Sequence, residues 1–288
     1  MRIEDSWCYD EHPIGASIIT TQNRWSIYKA EGYPAVEARV SNERSYAGTK
    51  SLKFAYSNGI PQDMIFKMES SNLKRVSTRV FIPSGRSAKF AMLDKNNSTM
   101  YRIIFGADGQ AAVFKGNSLE NPIKFNYKQN EWFKLSILSN LSEQKDYLFI
   151  NDENIAVISN LQNESIYFNT YANLFGNSLY LLENDLFYLD NLCYSKQSIL
   201  FINCAAIVEP VCLNGSNLEV GGNSCYAIAK GFLEAEFKKC NDYGNICELA
   251  MPIICGQTIS SSTIGETYKF YRPDYGSCLP QNGSNDFN

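Results

Sequence analysis

The chain is predicted to be all-β, a two-sheet antiparallel sandwich followed by a small cysteine-stapled module. Three observations predict this. Short runs of alternating apolar and polar residues recur roughly every 10–15 positions through the first two-thirds of the sequence. Gly, Pro, Asn and Asp separate those runs, and no long amphipathic helix pattern interrupts them. Of the 9 cysteines, all but Cys8 lie between Cys193 and Cys278, the density of a tail that disulfides hold together.

The elements follow in order. Trp25-Ser-Ile-Tyr and Ala38-Arg-Val-Ser read as short strands. Ala47-Gly-Thr-Lys is a turn that leads into a strand with Leu52, Phe54 and Tyr56 on one side. Met64-Ile-Phe-Lys-Met follows, and then Arg75 to Ile82, which Pro83-Ser-Gly stops. Ala88 to Leu93, Tyr101 to Phe105 and Ala111 to Phe114 come next, with Gly106-Ala-Asp-Gly109 as the hairpin turn between the last two. After Ile123-Lys-Phe-Asn-Tyr stands the stretch that organises the sandwich. Trp132, Lys134 and Ser136 alternate with Phe133, Leu135 and Ile137, and a polar connector leads to Tyr147-Leu-Phe-Ile. This is a hairpin with one apolar face, which needs a second sheet to cover it. Asn151 to Asn154 read as the turn that ends it. Leu179 to Leu182 and Leu186 to Tyr194 close the unit.

Composition narrows the function. Apolar residues make up 44% of the chain, enough for a sizeable core. With 26 basic and 30 acidic residues the net charge is -4, so no basic face points to nucleic acid. The 18 tyrosines and 17 phenylalanines favour strands. No apolar run reaches the roughly 18 residues of a membrane span. A zinc role for the cysteines lacks a C-x-x-C pair, and His12 is the only histidine, so disulfides in an extracellular setting are expected. Met1-Arg-Ile-Glu-Asp-Ser-Trp has no signal-peptide character. Beside those cysteines, this reads as a fragment of an exported protein.

Six motifs stand in a telling order: Trp25, Ala47-Gly-Thr-Lys-Ser-Leu, Val80-Phe-Ile-Pro-Ser-Gly-Arg-Ser-Ala, Phe125-Asn-Tyr-Lys-Gln-Asn-Glu-Trp-Phe, Leu148-Phe-Ile-Asn and Phe187-Tyr-Leu-Asp-Asn-Leu. Residues 1–196 thereby resemble the concanavalin-A-like jelly-roll module of large proteins that bacteria export by type IX secretion. Residues 197–243 carry Cys204-Ala-Ala-Ile-Val-Glu-Pro-Val-Cys212, Gly222-Asn-Ser-Cys225 and Cys240, and resemble a shortened Kazal module. Of the six Kazal cysteines, the second, third, fourth and sixth have matches. The resemblance implies the bridges Cys204–Cys225 and Cys212–Cys240. Residues 244–288, with Cys247-Glu-Leu-Ala-Met-Pro-Ile-Ile-Cys255, resemble the opening strands of a bacterial pre-peptidase C-terminal-type β-domain, expected here as a truncated piece.

Candidate chemistry is sparse. Catalytic triads and His-based metal sites would normally need histidine partners that His12 lacks. Glu183-Asn-Asp185 is the nearest approach to a glucanase acid cluster, and it reads as a turn beside a strand. No enzyme is expected. In related carbohydrate-binding jelly rolls, an acid of the first strand and an aspartate of the last often hold a structural calcium. The matching residues are Asp10 and Asp190. One antiparallel register of first and last strands brings Asp10 near Asp190 and Cys8 near Cys193, which offers a calcium site and a Cys8–Cys193 disulfide. The alternative is a solvated acid pair and two buried thiols. Glycan binding would use exposed rings drawn from Trp25, Tyr28, Tyr33, Tyr101, Tyr127 and Trp132.

The Kazal resemblance implies an inhibitory loop of Ala205, Ala206 and Ile207, with Ala206 as the specificity residue and Asn223 as its brace. The extra length between Cys212 and Cys225, Val220-Gly221 in place of Thr-Tyr, and the missing bridge all depart from the pattern. The expected function is a non-catalytic secreted or cell-surface binding or adhesion module with polysaccharide as ligand. Two alternatives are a Kazal-type inhibitor of a serine protease, and an accessory region of a secreted hydrolase.

Overall fold

A computed structural model describes residues 5–7, 9–28, 35–56, 60–116, 118, 120–159, 163–172, 185–197, 210–216, 218–222 and 224–240. Two large antiparallel sheets form a sandwich, as the alternating runs predict. The first sheet contains β1 (Asp5–Trp7), β3 (Arg39–Ser41), β4 (Ser51–Ala55), β6 (Leu73–Phe81), β11 (Trp132–Asn140), β12 (Lys145–Ile150), β13 (Glu153–Ser159) and β15 (Leu186–Gln197). Its order is β13-β12-β11-β6-β15-β4-β3, with β1 also paired to β15. The second contains β2 (Trp25–Ile27), β5 (Gln62–Lys67), β7 (Ala88–Leu93), β8 (Thr99–Phe105), β9 (Gln110–Lys115), β10 (Ile123–Asn126) and β14 (Tyr167–Ala172). Its order is β10-β9-β8-β7-β14-β5-β2.

The organising hairpin is β11 and β12, and its alternation holds. Phe133, Leu135 and Ile137 enter the core between the sheets, while Trp132, Lys134 and Ser136 take the outer face. The hairpin lies toward one side of its sheet, however, with β6 and β15 at the centre. Glu153 and Asn154, expected in the turn, belong to the next strand. Only Asn151 and Asp152 turn, both with positive φ (50° and 67°), and β13 then pairs back on β12. Two adjacent residues in that conformation match the twist of a tight hairpin. Glu153–Ser159 are therefore strand, and so is β14, which sits between β7 and β5 and shows little polar alternation. Asn169 and Thr170 are buried in it.

Aromatic residues fill the space between the sheets. Phe54 stacks on Phe187 with ring centres 4.9 Å apart, and Phe90 stacks on Phe168 at 5.7 Å. Asp185 is part of this structure and not of an exposed turn. It is 1% exposed and ion-paired to Lys89 at 2.6 Å, with Ser87 also bonded to it. That corrects the reading of Glu183-Asn-Asp185 as a turn for Asp185. Glu183 and Asn184 fall outside the described residues.

First and last strands do pair antiparallel. Ser6 faces Cys193 and Trp7 faces Leu192. Cys8 lies outside the described residues, and so does the proposed Cys8–Cys193 bridge. β15 carries a bulge between Asp190 and Cys193, with Asn191 at φ 46°. The extra residue lets Leu189, Leu192 and Tyr194 all reach the core and leaves Asp190 and Cys193 on the outer face.

A small sheet, β17-β16-β18, is formed by β16 (Val211–Leu213), β17 (Glu219–Gly221) and β18 (Phe237–Lys239). A short helix, α1 (Ser224–Ala229), follows β17. Through Lys238 the chain is one compact unit; a second unit spans Lys239–Asn288, of which only Lys239 and Cys240 are described. A disulfide joins Cys212 to Cys240, the pair that the Kazal resemblance implied. Val211, Leu213, Val220, Ala227 and Phe232 bury against Leu73, Leu138, Tyr147 and Phe149 of the first sheet.

Candidate functional site

The outer face of the first sheet can be read from its register. β11, β6 and β15 place Trp132, Phe81 and Tyr188 in one row, and Lys134, Arg79 and Asp190 in the next. Ser136, Ser77 and Cys193 follow, then Leu138, Arg75 and Ser195. Side chains alternate along each strand, so these rows share one face. The small sheet covers the end that carries Leu138 and Arg75. The end that carries Trp132 and Arg79 is partly open.

A loop from Asn42 to Lys50 folds over that open end, and two carboxylates hold it. Asp190 is 0% exposed. Its Oδ2 accepts the backbone N–H groups of Tyr46 (2.8 Å) and Ala47 (3.1 Å), and its Oδ1 accepts that of Asn191 at 2.8 Å. Burial pushes its carboxyl above the usual range, against the pull of those three N–H groups, and the charge of Asp10 adds to the rise. Asp10 Oδ1 accepts the Thr49 N–H (2.6 Å), the Thr49 hydroxyl (3.0 Å) and the Lys50 N–H (3.1 Å). The Thr49 N–H is the main reason its carboxyl lies below the usual range; burial opposes it. The loop reaches Asp10 closely because Gly48 has no side chain. A Cβ there would stand 2.0 Å from Asp10 Oδ2.

The two acids singled out in the sequence therefore do meet around one loop. The oxygens do not fit calcium. Asp10 Oδ1 and both carboxylate oxygens of Asp190 face N–H and O–H donors, and the carbonyls of Asp10 and His12 face Lys50 Nζ at 2.7 and 2.8 Å. A calcium ion would require several of those oxygens at once, and the ammonium already stands against them. Among the described residues no group of three His, Cys, Asp or Glu is placed to hold a metal.

What the loop presents is Tyr46. Its side of the loop is 44% exposed at this residue, and its ring lies 6.0 Å from that of Trp132 at 68°. The Arg79 guanidinium sits 4.3 Å over the Tyr46 ring. Phe81 backs Trp132 at 5.5 Å. Tyr188 completes the row and donates to Glu43 Oε2 at 2.6 Å, which anchors the start of the loop. Beside these rings lies a cleft of about 310 Å³ lined by Tyr46, Arg79, Lys134, Ser77, Asn191 and Leu233, among others. One wall is aromatic and cationic, the floor is hydroxyl and amide, and the far wall belongs to the small module.

Of the aromatic residues considered in the sequence, Trp25, Tyr101 and Tyr127 are buried. Tyr101 donates to Asp146 at 2.8 Å, and Tyr127 to the Gly106 carbonyl at 2.7 Å. Burial raises the Tyr127 hydroxyl to about 12. Tyr28 and Trp132 are partly exposed; Tyr33 falls outside the described residues. Sequence reasoning missed Tyr46 and Arg79. The one available signal was the turn motif Ala47-Gly-Thr-Lys directly after Tyr46. Cys204, Ala205, Ala206, Ile207 and Asn223 all lie outside the described residues, as does the side chain of Cys225, so the inhibitory loop and the Cys204–Cys225 bridge do too.

No family model and no curated protein sequence matches the chain. Among solved structures, a sialidase aligns with a TM-score of 0.45 and 12% identity over 68% of this chain, which spans 19% of the sialidase. The Caenorhabditis elegans galectin LEC-6 aligns with a TM-score of 0.35 and 12% identity, over 50% of this chain and 95% of its own. A structure of botulinum neurotoxin type C, whose cell entry is described as dependent on two ganglioside molecules, aligns with a TM-score of 0.40 and 15% identity, over 58% of this chain and 44% of its own. Similarity at this level supports no functional assignment.

Proposed function

We propose that this is a non-catalytic, extracellular carbohydrate-binding protein, and that the saccharide lies on the outer face of the first sheet against Tyr46 and Trp132. One observation carries the reading. An exposed tyrosine ring, braced by a second aromatic ring, borders a cleft with hydroxyl, amide and cationic groups on its floor and walls. Sugar rings offer an apolar C–H face to an aromatic ring and hydroxyls to polar neighbours, which suits a site with a few placed polar groups beside apolar surface. The loop is pre-set by Asp10 and Asp190, so little ordering cost falls on binding. The Cys212–Cys240 disulfide accords with an oxidising compartment, and none of the described helices is long and apolar enough to cross a membrane.

The test is a polysaccharide and glycan-array screen of the whole chain, followed by calorimetry with Tyr46→Ala and Trp132→Ala. Each substitution is expected to weaken binding about tenfold or more, as loss of a central aromatic anchor does, with the circular dichroism spectrum unchanged. Binding that neither substitution alters would move the site elsewhere. No binding to any saccharide would overturn the reading.

A further inference from the structure

We propose that the saccharide is anionic, carrying carboxylate or sulfate groups, and that Arg79 is the residue that selects for it; this deepens the carbohydrate reading above and rests on it. The inference comes from the state of the three charged groups that line the cleft, Arg75, Lys134 and Arg79. Arg75 is committed. Its guanidinium bonds Glu236 Oε2 at 2.6 Å, the Gly231 carbonyl at 3.0 Å and the Ser136 hydroxyl at 2.9 Å, all out of solvent. Lys134 is committed to Asp152 at 2.7 Å. Asp190 lies directly opposite Arg79 in the strand register, yet its two oxygens face the N–H groups of Tyr46, Ala47 and Asn191. Arg79 has no carboxylate partner among the described residues. Its one side-chain contact of note is the Tyr46 ring, on which it lies at 4.3 Å.

A guanidinium that rests on an aromatic face keeps its in-plane N–H fork available. That fork matches two oxygens of a carboxylate or sulfate, and its charge is already partly desolvated by the ring. Arg79 and Tyr46 both line the same cleft. A sugar that stacks near Tyr46 would bring an acidic substituent within reach of Arg79. The net charge of the whole chain is -4, so no general surplus of positive charge would draw polyanions to it. Selectivity for an acidic sugar would be local to this cleft.

The experiment measures binding of the whole chain to two matched pairs of probes: polygalacturonate against its methyl ester, and dextran sulfate against dextran. The wild type is expected to bind at least one acidic member about tenfold tighter than its neutral match, with affinity falling as NaCl rises. Arg79→Gln should abolish that preference by weakening the acidic member more than the neutral one, bringing the two to similar affinity. Arg79→Lys should retain part of it, since charge remains while the planar fork is lost. The pair that discriminates identifies the acidic group. Equal binding of acidic and neutral members would overturn the anionic assignment and leave the carbohydrate reading standing. So would an Arg79→Gln protein that loses both members equally, because Arg79 would then only prop Tyr46. No binding to any probe, with none on the wider glycan screen, would overturn both.

Discussion

Gly48 shows how much of the site depends on single atoms. It has φ 68°, a conformation that L side chains rarely adopt, and the missing Cβ is what lets Asp10 approach the loop. Gly48→Ala combines backbone strain with a direct clash and should destabilise by more than about 1 kcal/mol, read as a fall of a few degrees in melting temperature. The same variant should bind saccharide more weakly, because Asp10 and Asp190 could no longer set Tyr46. Calcium added after chelation should leave both melting temperatures where they are, since Lys50 already faces the carbonyls of Asp10 and His12. A calcium-dependent rise would return the ion to Asp10 and Asp190. The antiparallel pairing of first and last strands was legible, but its register was not: Ser6 stands opposite Cys193, and Asp10 lies beyond the end of β1 and meets Asp190 only around the loop. Tyr46 was not legible either, because the loop lacks the alternation that reveals a strand face.

At the scale of elements, the small sheet and the sandwich are joined by a buried ion pair as well as by apolar packing. Arg75 is 4% exposed and Glu236 0%. Glu236 also accepts the Leu233 N–H at 2.8 Å, and the Arg75 guanidinium lies 5.4 Å from the centre of the Phe149 ring. Gly231 permits this approach, since a Cβ there would stand 2.7 Å from Leu73 Cδ2. Removing one partner strands a buried charge. Glu236→Gln should therefore cost about 3–5 kcal/mol in urea denaturation, and Arg75→Met with Glu236→Leu should recover most of it. A loss under about 1 kcal/mol in the single variant would mean the pair is open to solvent. The cysteine pattern pointed to a stapled module, and Cys212–Cys240 bears it out. Nothing in the local sequence of β6 told that Arg75 would be covered by residues far along the chain.

Across the whole molecule, carboxyl groups pull in two directions as pH falls. Those of Glu43 and Glu69 are held below the usual value of 4.5, chiefly by Lys53 and Lys196 respectively. Such groups favour the folded state above the unfolded value, and that contribution is lost as pH falls through their lowered values. Asp146 and Asp190 are the reverse. Burial raises both above 3.8. The folded state takes up their protons before the unfolded state does, so stability gains as pH falls toward that value. The urea midpoint should hold or rise from neutrality to roughly pH 4–5 and fall below it. Asp146→Asn should flatten the upper part of that profile and leave the acid loss in place. An unchanged profile would show that Asp146 titrates normally.

By itself the sequence determined the class of fold. Period-two alternation is a property of one strand at a time, and turn residues mark where each strand stops, so β11, β12 and the Gly106–Gly109 hairpin could be recognised without any neighbour. Where alternation fails, as in buried β14, or where positive φ compresses a turn to two residues, as at Asn151 and Asp152, elements were missed. Only the tertiary structure decided which strands are central, where the bulge at Asn191 shifts β15, and which outward-facing side chains are buried by a second layer. The candidate site depends on those decisions. Tyr46, Arg79 and Trp132 come from a loop and two strands far apart in the chain; strand pairing sets Arg79 and Trp132 on one face, and Asp10 and Asp190 hold the Tyr46 loop over it.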